Sequence, residues 1–276
     1  MSKSVVISGA SRGIGLALVE HFLKQQFTVY GIVRQINEPL KQLKITYSNQ
    51  LTICEVDLAD SKMVEDRILE FEKLINLNSE IILINNAGIS AGGPFEILSY
   101  QHWVELYQVN LLAIVQLTKI FLPKIRKTKG RIINIGSVSG RIASPYLTSY
   151  ASSKFALRGL TDGLRRELRR FAIRVILIEP GPVDTGIWET SQKRSHNMLN
   201  LADKNLSDIY STQIKKLNDE INNIHKSTVD VSHVVNAVQE SVVSQKPKIY
   251  YMVGKNKFLI KLVSLMPGWI VDILLS

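Results

Sequence analysis

The feature that most constrains the fold is an alternation of short β-branched runs with longer stretches of helical periodicity, sustained over the first 180 or so residues. Such alternation builds βαβ units, whose crossover helices cover both faces of a mostly parallel, Rossmann-type doubly wound α/β sheet. Residues 4–8, 28–34, 51–56, 81–85, 131–136, 174–179 and 248–253 read as strands. Helices are predicted over 13–24, 61–76, 103–126, 150–171 and 231–244. With 276 residues and no linker-like tract or internal repeat, the chain reads as one domain spanning 1–276.

Two segments depart from the rhythm. Residues 186–227 are rich in Asn, Lys, Ser and Asp and weak in apolar periodicity, so they read as an insertion that is either a lid or a disordered loop. The tail, 255–276, is apolar but interrupted by Lys261, Pro267-Gly268 and Asp272. Its apolar part falls short of the ~20 uninterrupted residues that a spanning helix needs. Lys255, Lys257 and Lys261 beside it suit a membrane interface. The other readings are a cover over the substrate mouth or a contact with a second subunit.

The single cysteine, Cys54, cannot form an intramolecular disulfide and reads as a small buried hydrophobe. The apolar run after Met1-Ser2-Lys3 is too short for a signal peptide, so the chain is expected in the cytoplasm, with peripheral membrane contact through the tail as an option. A net charge of +10 admits anionic partners. Much of that charge sits between 158 and 174, where Arg158, Arg165, Arg166, Arg169, Arg170 and Arg174 face only Asp162 and Glu167. Leu157, Leu160, Leu164 and Leu168 take the core side, which leaves the arginines as a mainly outer, solvated face. No stacking-aromatic motif or known module accompanies them, which argues against nucleic acid.

Gly9-Ala10-Ser11-Arg12-Gly13-Ile14-Gly15 links the first strand to the first helix, where backbone N–H groups and the helix dipole favour a diphosphate. Gly9 permits the tight turn, Gly13 close approach of the phosphates and Gly15 close packing of helix on strand. The second strand ends Ile32-Val33-Arg34 without the carboxylate that would bind a ribose 2′-hydroxyl. Arg34 and Arg12 therefore either pair with a 2′-phosphate, which favours NADP(H) over NAD(H), or are solvated surface arginines. Asp57 is placed for the adenine edge, and Asn86-Ala87-Gly88 puts small residues where a ribose would lie.

Tyr150 and Lys154 stand four residues apart on one helix face. A neighbouring ammonium is expected to lower the phenol from its ordinary pKa of ~10 and make it a usable acid–base. Ser137, at the end of the preceding strand, can hydrogen-bond a carbonyl oxygen as charge develops there. Asn110, polar within an apolar helix, is expected to bond either an interrupted helix backbone or a proton-relay water.

The ordered set Ser8–Gly15 (SGASRGIG), Asn85–Gly88 (NNAG), Val109-Asn110, Gly136–Gly140 (GSVSG), Tyr150–Lys154 (YASSK) and Pro180–Thr185 (PGPVDT) resembles the short-chain dehydrogenase/reductase family. Ser8 replaces the family's usual Thr and keeps the hydroxyl. The resemblance implies Tyr150 as acid/base, Lys154 as ribose ligand and tuner of the tyrosine, Ser137 as carbonyl polariser and Asn110 as the fourth member. It also implies that Pro180, Gly181, Val183 and Thr185 meet the nicotinamide end, and that helices 103–126 and 150–171 form a homodimer or homotetramer interface. No metal is implied, and His21, His102, His196, His225 and His233 lack paired ligand spacing.

The chain is similar to the hydroxysteroid and retinol dehydrogenase branch, and Ser139, Ile142, Pro145, Tyr146, Leu147, residues 89–94, Ile187 and Trp188 should border an apolar pocket. The expected reaction is hydride exchange between nicotinamide and a hydrophobic carbonyl or secondary alcohol. The alternatives are a non-catalytic NADP(H) sensor and a membrane-peripheral protein whose tail is its function.

Overall fold

The computed structural model describes residues 3–185, 187–200, 203–223 and 228–275. Its elements run β1 (Lys3–Ser8), α1 (Gly13–Lys24), β2 (Thr28–Val33), α2 (Glu38–Thr46), β3 (Leu51–Glu55), α3 (Ser61–Lys73) and β4 (Glu80–Asn85). There follow α4 (Tyr100–Tyr107), α5 (Ala113–Thr128), β5 (Arg131–Ile135), α6 (Thr148–Leu168) and β6 (Arg174–Pro180). The chain closes with α7 (Ile187–Asn200), α8 (Lys204–Ile209), α9 (Ser211–Asn223), α10 (Val231–Val243), β7 (Tyr250–Val253), α11 (Lys257–Val263) and α12 (Gly268–Leu275).

All strand pairs are parallel, in the order β3-β2-β1-β4-β5-β6-β7. Alternate side chains divide the apolar strands between two cores, as the two-residue period of a strand requires. Val5, Ile7, Ile82, Ile84, Ile133 and Ile135 pack with Leu18 and Phe22 of α1 and Val234 and Val238 of α10. Val6, Ile81, Leu83 and Ile132 pack on the other face with Ile68 of α3 and Leu117, Phe121 and Ile125 of α5. The sheet is therefore covered on both sides, and its polar openings lie at the strand ends.

Three features differ from the sequence reading. Residues 38–46 are helical although only Leu40 is buried, because Asn37 caps the turn by accepting from the Leu40 N–H at 3.2 Å. The inserted segment, read as a lid or a disordered loop, carries three helices, α7 to α9. The helical pattern that begins at Trp103 starts at Tyr100 and is interrupted by a π turn, Gln108–Leu112, between α4 and α5.

Candidate active site

The predicted residues converge on the C-terminal end of the sheet, where open α/β sheets bind ligands. Gly9 adopts φ +67°, and an added Cβ would come within 2.9 Å of the Ala87 Cα, so the glycine turn and the loop after β4 touch. Ser8 ties them: its Oγ accepts from the Asn86 and Ala87 N–H groups at 3.0 and 3.1 Å, while Asn86 Nδ2 donates to the carbonyls of Ser8 and Gly9. Gly88 in turn lies beside Asn110 Oδ1 and Lys154 Nζ. One continuous surface thus runs from the glycine turn to the Tyr150 helix.

At the start of α1 no side chain caps the backbone and no acidic residue occupies the first turn. By contrast, α2 and α3 are capped by Asn37 and Asp60. An uncapped helix start presents N–H groups to an anion, which fits a diphosphate there. Ile14 and Gly15 complete that first turn, and the Ser11 carbonyl is held from outside by Asn37 Nδ2 at 2.6 Å. Around this position Arg34 is exposed just beyond β2, while Asp57, just beyond β3, accepts the Ala59 N–H on Oδ1 at 2.9 Å. Arg12 instead reaches α7, donating to Thr190 Oγ1 at 3.1 Å.

The loop after β6 is held across the same end. Gly181 N–H donates to the Val253 carbonyl at 2.7 Å, and Val183 forms a parallel bridge with Val229. Thr185 packs against Gly13, where an added Cβ would lie 3.2 Å from the Thr185 Cβ. The room expected at Gly13 for a phosphate is thus shared with Thr185.

Ser137 follows β5, Tyr150 lies in the first turn of α6, and Lys154 sits one turn further on. Tyr150 is half-buried; burial pushes its phenol up, and a hydrogen bond with Ser137 pulls against that shift. Lys154 donates to the Ile135 carbonyl at 3.1 Å, and burial lowers its pKa to about 8. Its Nζ stands 5.7 Å from the centre of the Tyr150 ring. This corrects the expectation that the ammonium lowers the phenol: here burial dominates both groups, and Ser137 supplies the downward pull.

Asn110 occupies the π turn, fully buried. Its partners lie outside its own helix, mainly in the loop after β4: Oδ1 accepts from the Ile89 N–H at 2.8 Å, and Nδ2 donates to the Ile89 carbonyl at 2.9 Å and to Ser153 Oγ at 3.1 Å. The wide turn, a feature common at functional sites, lets this one side chain join three elements.

The region expected to border the pocket combines backbone strain with contacts from α7 and the turn after α8. Tyr146 holds φ +61°, a left-handed conformation costly for a bulky residue, and its carbonyl accepts from the Gly93 N–H at 2.8 Å. From α7, buried Ser195 accepts the Gly92 N–H at 2.9 Å, and Arg194 pairs with Glu105 of α4 at 3.0 Å. Tyr210 donates to Glu96 at 3.0 Å. The side chains of Ile187 and Trp188, expected in this region, lie outside the described residues, as does Gly186.

Several contributors escaped sequence reasoning. His102, buried on α4, sits 3.1 Å from Ser149 Oγ, next to Tyr150, and burial lowers its pKa against the opposing pull of Glu105. Arg158 is not part of a solvated face. With Arg141 it holds the fully buried Glu179. Arg141 donates from Nε to both carboxylate oxygens at 2.9 Å and from Nη2 at 2.7 Å, and the Arg158 guanidinium stacks 4.4 Å above the Tyr250 ring. Partners 21 and 38 residues away leave no local pattern in a sequence.

The short chain dehydrogenase family model matches residues 3–196. Over 261 residues the chain is 33% identical to the NADPH-dependent 3-dehydrocapnine reductase of Ornithobacterium rhinotracheale, covering 93% of this chain and 89% of that one. It is 30% identical over 267 residues to human 17-beta-hydroxysteroid dehydrogenase type 2, covering 93% and 68% of the two chains. A closed serine dehydrogenase complexed with NADP+ superposes with a TM-score of 0.74 at 25% identity, over 91% of this chain and 94% of that one. Solved structures sharing the fold hold NADP in some cases and NAD or NADH in others. The chain belongs to the short-chain dehydrogenase family of oxidoreductases, with hydroxysteroid dehydrogenases among its relatives.

Proposed function

We propose that the protein is an NADP(H)-dependent reductase of a hydrophobic carbonyl, or dehydrogenase of the matching secondary alcohol. The observation that carries this reading is the grouping of buried Ser137, half-buried Tyr150 and buried Lys154 at the sheet end that also holds the uncapped start of α1. When bound, the nicotinamide exchanges a hydride with the carbon of the carbonyl or alcohol group. Tyr150 gives its hydroxyl proton to the carbonyl oxygen, or takes one in the reverse direction. Ser137 donates a hydrogen bond to the same oxygen as charge develops on it. Lys154 holds the ribose and, once the phenolate forms, stabilises it by charge. Asn110 fixes the Ile89 loop and the Ser153 turn against which these groups rest. Arg12 and Arg34 bind the 2′-phosphate; an NADPH-dependent relative supports this preference. Gly9, Ser11, Gly13, Ile14 and Gly15 carry the diphosphate, Asp57 the adenine, Asn86 to Gly88 the ribose, and Pro180, Gly181, Val183 and Thr185 the nicotinamide.

A homodimer or homotetramer in the cytoplasm completes the reading. Val104, Leu112 and Phe155, exposed apolar residues on or between α4, α5 and α6, support the oligomer. Buried Cys54 suits a reducing compartment.

Fluorescence titration with NADPH and NADH, alongside turnover of Tyr150→Phe, tests this function. The expected outcome is tighter NADPH binding and a variant that binds NADPH normally with turnover lost. Equal binding of the two cofactors would remove the arginine argument, and a fully active Tyr150→Phe would remove the chemistry.

A further inference from the structure

We infer that α11 and α12 form a docking face for an anionic lipid surface. After β7 the chain leaves the sheet at its C-terminal end, where Gly181 bonds Val253, and enters two short helices. Their large apolar side chains point outward: Phe258, Leu265 and Trp269 are 79, 74 and 66% exposed, and Leu259, Leu262, Ile273 and Leu274 are also more than half exposed. Scattered exposed apolar residues are ordinary, but this density within seventeen positions is a patch of the kind that marks an interaction surface.

The arrangement on α11 is ordered. At about 100° per residue, Phe258 and Leu262 fall within about 40° of one another, and exposed Leu265 follows in the turn after the helix. Val263, the buried residue of the helix, faces the body of the protein. Lys257 and Lys261 border the apolar stripe on one side, and Lys257 Nζ lies 5.6 Å from the Phe258 ring centre. An apolar stripe edged by lysines, followed by an exposed tryptophan, is the composition of a helix lying in a bilayer interface. Each helix is far too short to span one.

Charge decides between occupants. A second copy of the chain would bring the same +10 and the same lysines to the contact, and protein interfaces deplete lysine. Anionic headgroups meet the lysines with opposite charge. The two helices follow directly from the C-terminal end of β7, the end of the sheet that carries the site. This inference stands apart from the catalytic reading, because lipid docking is measured without substrate.

The experiment is co-sedimentation of the full-length protein with vesicles of phosphatidylcholine alone and with about 30% phosphatidylserine, at low and high salt. Binding to the anionic vesicles is expected, weakened about tenfold or more by neutral lipid, by salt and by Lys257→Glu with Lys261→Glu. Leu262→Asp with Leu265→Asp should abolish it while NADPH titration shows an intact fold. No sedimentation with anionic vesicles, or equal binding to neutral ones, would overturn the proposal. So would a drop in oligomer mass in the leucine variant without any vesicle binding by the parent, which would assign the face to a second copy.

Discussion

The Arg12 guanidinium donates a hydrogen bond to Thr190 Oγ1 of α7, 178 positions along the chain. The residue proposed to grip the 2′-phosphate is thus engaged by α7. A phosphate that recruits Arg12 must release Thr190, so removing the threonine hydroxyl should favour NADPH. Thr190→Val is expected to tighten NADPH binding about two- to tenfold, the equivalent of one exposed hydrogen bond, and to leave NADH unchanged. Parallel fluorescence titrations check this; equal changes for both cofactors would show that the α7 contact acts elsewhere.

Lys154 gives a pH-dependent stability. Its pKa falls from 10.5 in the open chain to about 8 in the fold. Between those values the unfolded chain keeps a proton that the folded chain has lost, so stability rises with pH across that window. Below it the fold carries a buried ammonium at a cost. Lys154→Met should abolish activity yet raise stability at pH 7 by about 2 kcal/mol, the relief of ~3 less ~1 for the lost bond to the Ile135 carbonyl. The gain should fade toward about pH 10 in urea denaturation series.

Glu179 has no exposure, and its charge is offset by two arginine partners, Arg141 and Arg158. Glu179→Gln removes the carboxylate that both guanidinium groups pair with, leaving Arg158 only the more distant charge of Asp162. A loss of about 3 kcal/mol is expected in chemical denaturation. Arg158→Met should cost less, because Arg141 keeps its contacts with both carboxylate oxygens.

Two glycines make a matched pair. An added Cβ on Gly15 would fall on the Gly9 carbonyl oxygen, a backbone atom that cannot swing away. Gly163, exposed on α6, has nothing within 4 Å of that position. Gly15→Ala should destabilise by about 3 kcal/mol or more and abolish NADPH binding, whereas Gly163→Ala should stabilise by about 0.5–1 kcal/mol. Thermal melts of the two variants decide it.

Much of the framework was legible because it rests on local rules. Strands such as 4–8 and 81–85 announce themselves by β-branched runs, the glycine turn by its sterics, and the Tyr150 to Lys154 spacing by the helix repeat. What escaped depends on distance. Glu179 reads as the end of a strand until Arg141 and Arg158 fold onto it. Asn110 stands out as polar, but its partner Ile89 lies 21 residues back and emerges only once the π turn forms. The direction of the Tyr150 shift followed burial, which a spacing of four residues does not report. In 187–223 the polar composition masked a helical signal that was present, since Ile214, Leu217 and Ile221 of α9 recur at helical spacing; α7 is fastened by polar contacts such as those of Arg194 and Ser195.

The position of β1 has a consequence for how the molecule assembles on the ribosome. Ser4 pairs with Thr28 on one side and with Ile81 on the other, so the first strand synthesised becomes an interior strand of the sheet. Its second edge stays bare until β4 emerges, and the sheet is not complete until Tyr250 reaches β6. Parallel pairings across such sequence separations form slowly and expose strand edges meanwhile. Through most of its synthesis the strand at the growing side of the sheet, β4, then β5, then β6, waits unpaired for its next neighbour.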